Sequence, residues 1–128
     1  MIQKGTSFNI VDNSGGKKAS CMHVYGGYRR RYAKIGDVVV VSIKKVRPPQ
    51  PKEVIKVKKG DVLKALVVST KEVKKNFAHQ TVSLFDNSVV LLTNQNKLFG
   101  TRIFIPVLRS FRATRFLRII SLASGLIK

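Results

Sequence analysis

The sequence predicts a mainly β domain. It should have five or six antiparallel strands, set as a barrel or a sandwich, followed by one or two short helices. The strands are predicted by short, evenly separated apolar segments rich in β-branched residues, with Gly, Asn, Asp or Pro in the gaps. Continuous apolar runs such as VVVV (38–41) add that some strands are covered on both faces or wrapped into a tightly closed small barrel. The helices are predicted by a change of apolar spacing in the C-terminal third.

Taken in order, SFNIV (7–11) alternates as a half-buried strand does, and DNSGG (12–16) is a turn cluster that closes the first hairpin. SCMHVY (20–25) is a mixed strand. DVVVVSI (37–43) is the most hydrophobic segment, and its four valines read as core throughout. VLKALVVST (62–70), TVSLF (81–85) and SVVLLT (88–93) complete the strand set, with His79 in a hairpin tip. Two strands are entered by the same chemistry, Gly36-Asp37 and Gly60-Asp61. Gly takes positive φ and Asp bonds the local backbone, so both are sound strand-entry turns.

The segment 46–59, VRPPQPKEVIKVKK, differs in kind. Pro48, Pro49 and Pro51 cannot donate to a central ladder, and there is little to bury, so it reads as a protruding basic loop. In TRFLRIISLASG the residues Phe116, Leu117, Ile119, Ile120, Leu122 and Ala123 fall near helical spacing, with Arg115, Arg118 and Ser121 opposite. Thr114 is the expected N-cap and Gly125 the C-terminal stop, and an earlier helix is expected from Pro106. The 128 residues make one domain, with a barrel over 1–105 and a helical region over 106–128.

Charge bounds the function. Lys and Arg total 25 against 6 Asp and Glu, a net charge of +19. Such a surplus repels itself unless an anionic partner neutralises it. No apolar run approaches the 18 or so residues of a membrane span, so nucleic acid is the expected partner rather than a membrane. The N-terminus shows neither a signal-type apolar core nor an Arg/Ser-rich leader and reads as a mature start. Cys21 stands alone, which excludes a disulfide framework.

Catalysis finds few candidates. The carboxylates Asp12, Asp37, Glu53, Asp61, Glu72 and Asp86 include no pair spaced for a shared site. One Cys and the distant His23 and His79 do not make a zinc site. Cys21 and His23, at i and i+2, would share a strand face, with no acid to complete a nucleophilic set. SGGKK (14–18) lacks the P-loop spacing. No enzyme activity, metal, cofactor or small-molecule substrate is expected.

Cations are abundant instead, in three clusters: Arg29, Arg30, Arg31 and Lys34; the loop with Lys44, Lys45, Arg47, Lys52, Lys56, Lys58 and Lys59; and Arg102, Arg109, Arg112, Arg115 and Arg118. Lys17 and Lys18 are further phosphate candidates. One cluster alone would be a solvated face, but three with almost no interspersed acid are not. Spread over loops and helix faces, they favour a folded RNA read by shape and phosphates. The interleaved tyrosines serve either as stacking surfaces or as cover for the barrel end. The alternative is a free-standing OB-like barrel that binds single-stranded nucleic acid along one aromatic-lined groove.

MIQKGTSFNIVDNSG, YGGYRRRYAKIGD, VKKGDVLKALVV, DNSVVLL, GTRIFIPV and FLRIISLA resemble, in order and across nearly the whole chain, the universal large-subunit ribosomal protein fourteen family in its bacterial or organellar form. The resemblance implies a small five-stranded antiparallel β-barrel with a C-terminal pair of short helices. It implies binding to large-subunit rRNA, neighbouring large-subunit proteins and a place at the subunit interface. It also brings Thr101, Arg102 and Arg118 together, with Gly100 making the bend that exposes them. There they would meet small-subunit rRNA or a ribosome-silencing factor. Ala78-His79, Ile105 and Ser124-Gly125 depart from the family pattern, and 46–59 is longer than usual. Together with the Lys/Ile/Asn-rich composition, this suggests an organelle-encoded mitochondrial protein, the alternative being the bacterial cytoplasm.

Overall fold

The computed structural model describes residues 2–26, 31–48, 57–71, 73–75, 81–83, 86–108, 111, 116 and 118–127. Five strands close a barrel: β1 (Ser7–Ile10), β2 (Gly16–Val24), β3 (Val38–Val46), β4 (Val62–Ser69) and β7 (Ser88–Leu92). Between β4 and β7, β5 (Val73–Lys75) and β6 (Thr81–Ser83) form a separate antiparallel hairpin. After the barrel come β8 (Val107–Leu108), helix α1 (Arg118–Leu122) and β9 (Leu126–Ile127).

The neighbours β1–β2, β2–β3, β3–β4 and β4–β7 are antiparallel, and β1–β7 is parallel. The parallel seam follows from the strand count. Five strands that alternate in direction leave the first and last pointing the same way. Register shifts in β2 around Lys18 and between Cys21 and His23 act as bulges, which sharpen the curl a small barrel needs.

Two cores use the two faces of the same strands. Inside the barrel lie Phe8, Ile10, Ala19, Cys21, Val39, Val41, Ile43, Ala65, Val67, Val89 and Leu91, with Ile2 and Val57. Outside, Leu66, Val68, Val90 and Leu92 meet Ile103, Val107, Phe111, Phe116 and Ile119. The runs ALVV and VVLL are therefore apolar at every position because β4 and β7 are covered on both faces. The four valines do not all belong to the interior, contrary to the expectation. Val39 and Val41 point in, while Val38 and Val40 are half-buried on the outer face, as strand alternation requires.

The ends of the basic segment 46–59 are attached to the barrel. Strand β3 runs to Val46, and Val57 is buried among the barrel residues. Its middle, 49–56, with Lys52 and Lys56, lies outside the described residues.

Of the one or two short helices expected near the C-terminus, α1 is present, but none begins at Pro106. Pro106 precedes strand β8, whose Val107 N–H donates to Gly125 O at 3.1 Å. This N–H is committed across the segment, and Val107 is drawn into the outer core, so no helix starts here. Gly125 is an acceptor in this pairing rather than a helix stop. Helix α1 ends at Leu122 because Leu122 O accepts from Ile103 N–H at 3.1 Å and Ala123 bridges to Ile103. Ile119 is buried while Arg118 and Ser121 are exposed, so the polar side lies where the spacing puts it. Thr114 lies outside the described residues.

Gly36 and Gly60 have φ of 93° and 91°. Asp37 Oδ2 accepts from Lys34 N–H at 2.7 Å, and Asp61 Oδ2 accepts from Lys58 N–H at 2.9 Å. Both carboxylates reach back three residues and close the turn from within. A Cβ at Gly60 would meet nothing within 4 Å, and one at Gly36 only the Phe111 ring at 4.0 Å. The penalty for a side chain there is conformational. Replacing either glycine with Val is expected to destabilise the fold by more than about 1 kcal/mol, and with Asn by less, in chemical denaturation.

Candidate nucleic-acid interface

Strand register assembles the first cationic surface. Lys18 on β2 stands directly opposite Lys45 on β3. Lys17 and Lys44 flank this pair, and all four are exposed. Like charges directly opposite in a ladder destabilise it, so this face carries repulsion that a polyanion would relieve. The turn 58–61 docks on the same end of β3. Gly60 N–H donates to Ile43 O at 2.8 Å, and Ile43 N–H donates to Asp61 O at 2.9 Å. Exposed Lys58 and Lys59 are thereby fixed near Lys44 and Lys45.

Three of the described carboxylates are engaged within the fold. Asp12 is fully buried, and Asp37 and Asp61 bond main-chain N–H groups in their turns. Arg47 belongs to the same end. Its N–H donates to Gly15 O at 2.8 Å, and its guanidinium carbon sits 4.9 Å from the Phe104 ring centroid.

The loop joining β2 to β3 lies at the opposite end of the barrel. Ala33 is buried and exchanges two main-chain hydrogen bonds with Ile2, of 2.7 and 3.2 Å. Gly36 N–H donates to Val67 O at 2.8 Å. These bonds tie the second half of the loop to the rigid barrel and hold Arg31 and Lys34 exposed. Arg29 and Arg30 lie outside the described residues, as do Tyr28, Arg109, Arg112 and Arg115. Tyr25 is 42% exposed, with its ring edge-on to His23 at 5.6 Å and Lys64 Nζ 5.7 Å from its centroid. Tyr32 is also exposed.

Cys21 and His23 do not share a face, contrary to their spacing. The bulge between them turns Cys21 into the barrel and leaves His23 outside. Burial pushes the Cys21 thiol up from its ordinary value, and its sulfur contacts His23 O at 3.9 Å. A buried thiol with a raised pKa is a poor nucleophile. Among the described residues no group of three or more His, Cys, Asp or Glu could hold a metal ion. Among the described residues no helix is long and apolar enough to cross a membrane.

The segment 100–104 is shaped by the turn after β1. Asn13 Oδ1 accepts from Thr101 N–H at 2.7 Å and Arg102 N–H at 3.1 Å, and Asn13 Nδ2 donates to Thr101 Oγ1 at 2.7 Å. A Cβ at Gly100 would lie 2.7 Å from Asn13 Oδ1 and 3.1 Å from Asp12 Cβ, so this close approach requires glycine. Beneath it, Asp12 Oδ1 accepts from Ser14 N–H at 3.2 Å and from the Ser14 hydroxyl, and Oδ2 accepts from Leu91 N–H at 3.0 Å. Thr101 and Arg102 are exposed and Ile103 is buried. Thr101 and Arg118 line one groove of about 250 Å³ with Leu98, Phe99, Gly100 and Leu122. Arg102 lies next to Thr101 and is not among the lining residues.

The sequence reading missed Asp12 and Asn13 as site-builders. DNSG signals a turn, but nothing local says that its side chains also grip residues 88 and 89 positions away. The family model described as Ribosomal protein L14p/L23e matches residues 1–127.

Proposed function

The chain belongs to the ribosomal protein L14p/L23e family, structural proteins of the large ribosomal subunit, and on that premise we propose that it binds large-subunit rRNA and faces the small subunit. The observation that carries the RNA reading is the acid-poor lysine face in which Lys18 stands opposite Lys45. Docked Lys58 and Lys59 extend it, and Arg31 and Lys34 on their anchored loop add a second cationic surface at the opposite end of the barrel. A rigid barrel holds these cations in place before RNA arrives, so little ordering entropy is lost on binding. Neighbouring large-subunit proteins complete its surroundings.

The free-standing OB-like alternative requires one continuous aromatic groove. Among the described residues, exposed Tyr25 and Tyr32 flank the loop at one end of the barrel, while Phe104 pairs with Val11 at the other. That division favours the ribosomal reading.

Thr101, Arg102 and Arg118 form the proposed interface patch. The Asn13 clamp and the shared groove of Thr101 and Arg118 support it. Small-subunit rRNA and a ribosome-silencing factor would compete for these groups. Changing Thr101 and Arg102 together to Ala should leave incorporation into large subunits intact. It should weaken subunit joining or factor binding by about tenfold, the loss of one or two charge-assisted hydrogen bonds. Sucrose-gradient profiles separate the two effects, and loss of the large-subunit peak itself would refute the assignment. The Lys/Ile/Asn-rich composition supports a mitochondrial ribosome, which co-sedimentation with the mitochondrial large subunit would check.

A further inference from the structure

Arg47 enters the RNA-binding set and Arg102 the interface patch, yet the fold attaches both to one turn. Arg47 N–H is held by Gly15 O and Arg102 N–H by Asn13 Oδ1. Phe104 N–H donates to Val11 O at 2.8 Å. Arg102 and Phe104 flank buried Ile103 and are both exposed. Phe104 keeps 47% of its surface exposed although it is a large apolar side chain, and the Arg47 guanidinium covers part of its ring.

We propose that Arg47, Phe104 and Arg102 form one preorganised site for an RNA phosphate and the unpaired base beside it. The proposal rests on the RNA-binding reading above. A guanidinium presents a planar fork that matches a phosphate bidentately, but a free arginine must give up rotamer freedom to do so. Arg47 has given up much of that freedom already. Its main chain is tethered, its head is stacked, and it is half-buried, whereas Lys18 and Lys45 are exposed point charges. Arg102 adds a second cation from the same exposed side of its segment. The uncovered part of the Phe104 ring offers a π-surface, which any base can stack on.

The competing explanation is that Arg47 serves the fold alone, as a cover for Phe104 and a positive charge near buried Asp12. Asp12, however, already takes hydrogen bonds from Ser14 N–H, the Ser14 hydroxyl and Leu91 N–H, and the attraction of Arg47 is the smallest of the influences on it. Nor does shielding account for a phenylalanine left nearly half exposed beside a tethered arginine.

The test uses the full chain, a transcript of large-subunit rRNA, and affinity measured at several salt concentrations beside thermal melting. R47K keeps the charge and removes the planar stack. F104L keeps apolar bulk and removes the ring. Each is expected to bind RNA roughly 3- to 30-fold more weakly, the scale of a cation–π contact, with melting and salt slope near wild type. The double variant should lose little more than either single one, because the two side chains act as a unit. R102Q should lower the salt slope by about one. RNA affinities of R47K and F104L equal to wild type would overturn the proposal, and if subunit joining fell instead, the site would belong to a protein partner. Failure of wild type to bind the transcript would overturn the RNA reading as a whole. Weakened binding by a K18Q/K45Q variant alongside normal binding by R47K and F104L would overturn only this site.

Discussion

Affinity for structured large-subunit RNA is expected to fall by about 10³–10⁵ between 50 and 200 mM salt, if roughly 6–10 cations meet phosphates. The described surface supplies that number from Lys17, Lys18, Lys44, Lys45, Arg47, Lys58, Lys59, Arg31 and Lys34, all exposed or half-buried. Each phosphate contact releases condensed counterions, so the slope of log affinity against log salt counts contacts directly. Neutralising Lys18 and Lys45 together should reduce that slope by nearly two. It should leave the barrel at least as stable, because the pair repels itself across the ladder in the free protein. A shallow slope with strong base preference would favour the single-strand reader instead.

Replacing Asp12 with Ala is expected to destabilise the fold by about 3–5 kcal/mol and to lower Tm by roughly 10 °C or more. The side chain is fully buried, and three donors on two segments converge on it. Its removal strands Leu91 N–H on a strand buried on both faces and frees the turn that holds Thr101 and Arg102. The wild-type side chain also has a pH signature. Burial, the largest influence, raises the Asp12 pKa above 3.8, outweighing the hydrogen bonds from Ser14 and Leu91 and the attraction of Arg47. The folded state therefore holds its proton more tightly than the unfolded chain does. This contribution to stability is fully present below the unfolded pKa and is lost as pH rises through the raised folded value. Asp12→Asn should flatten that part of the stability–pH curve, as urea titrations in the acid range would show.

The sequence made the barrel legible where one residue type had one use. ALVV and VVLL allow strands covered on both faces, and β4 and β7 are such strands. Gly-Asp before a valine run marks a strand entry, and Gly36 and Gly60 have the positive φ that such a turn needs. The C-terminal third was harder, because its apolar residues satisfy two periods. Ile103, Ile105 and Val107 alternate like a strand, whereas Phe116 to Ala123 step like a helix, and main-chain partners decided where each ended. The lysines could be named from the sequence but not placed. That Lys18 faces Lys45 depends on register shifts in β2 that no local pattern announces, and a further shift in the same strand separates Cys21 from His23.

The odd number of barrel strands has a consequence in time. Before Ser88–Leu92 joins, β1 to β4 form a curled sheet with two open edges, one on β1 and one on β4. Strand β7 covers both at once, antiparallel to β4 and parallel to β1. The β1–β7 seam joins positions about 80 residues apart, which synthesis at about 5–20 residues per second separates by roughly 4–16 s. Only the last part of that interval, the 19 residues from Ser69 to Ser88 or roughly 1–4 s, would leave a completed four-stranded sheet with two unpaired edges, the usual template for pairing with another chain. One five-residue strand, buried at every position, converts an aggregation-prone intermediate into a closed ring, so mutations in SVVLL should depress soluble yield more than their effect on the finished protein's stability would suggest.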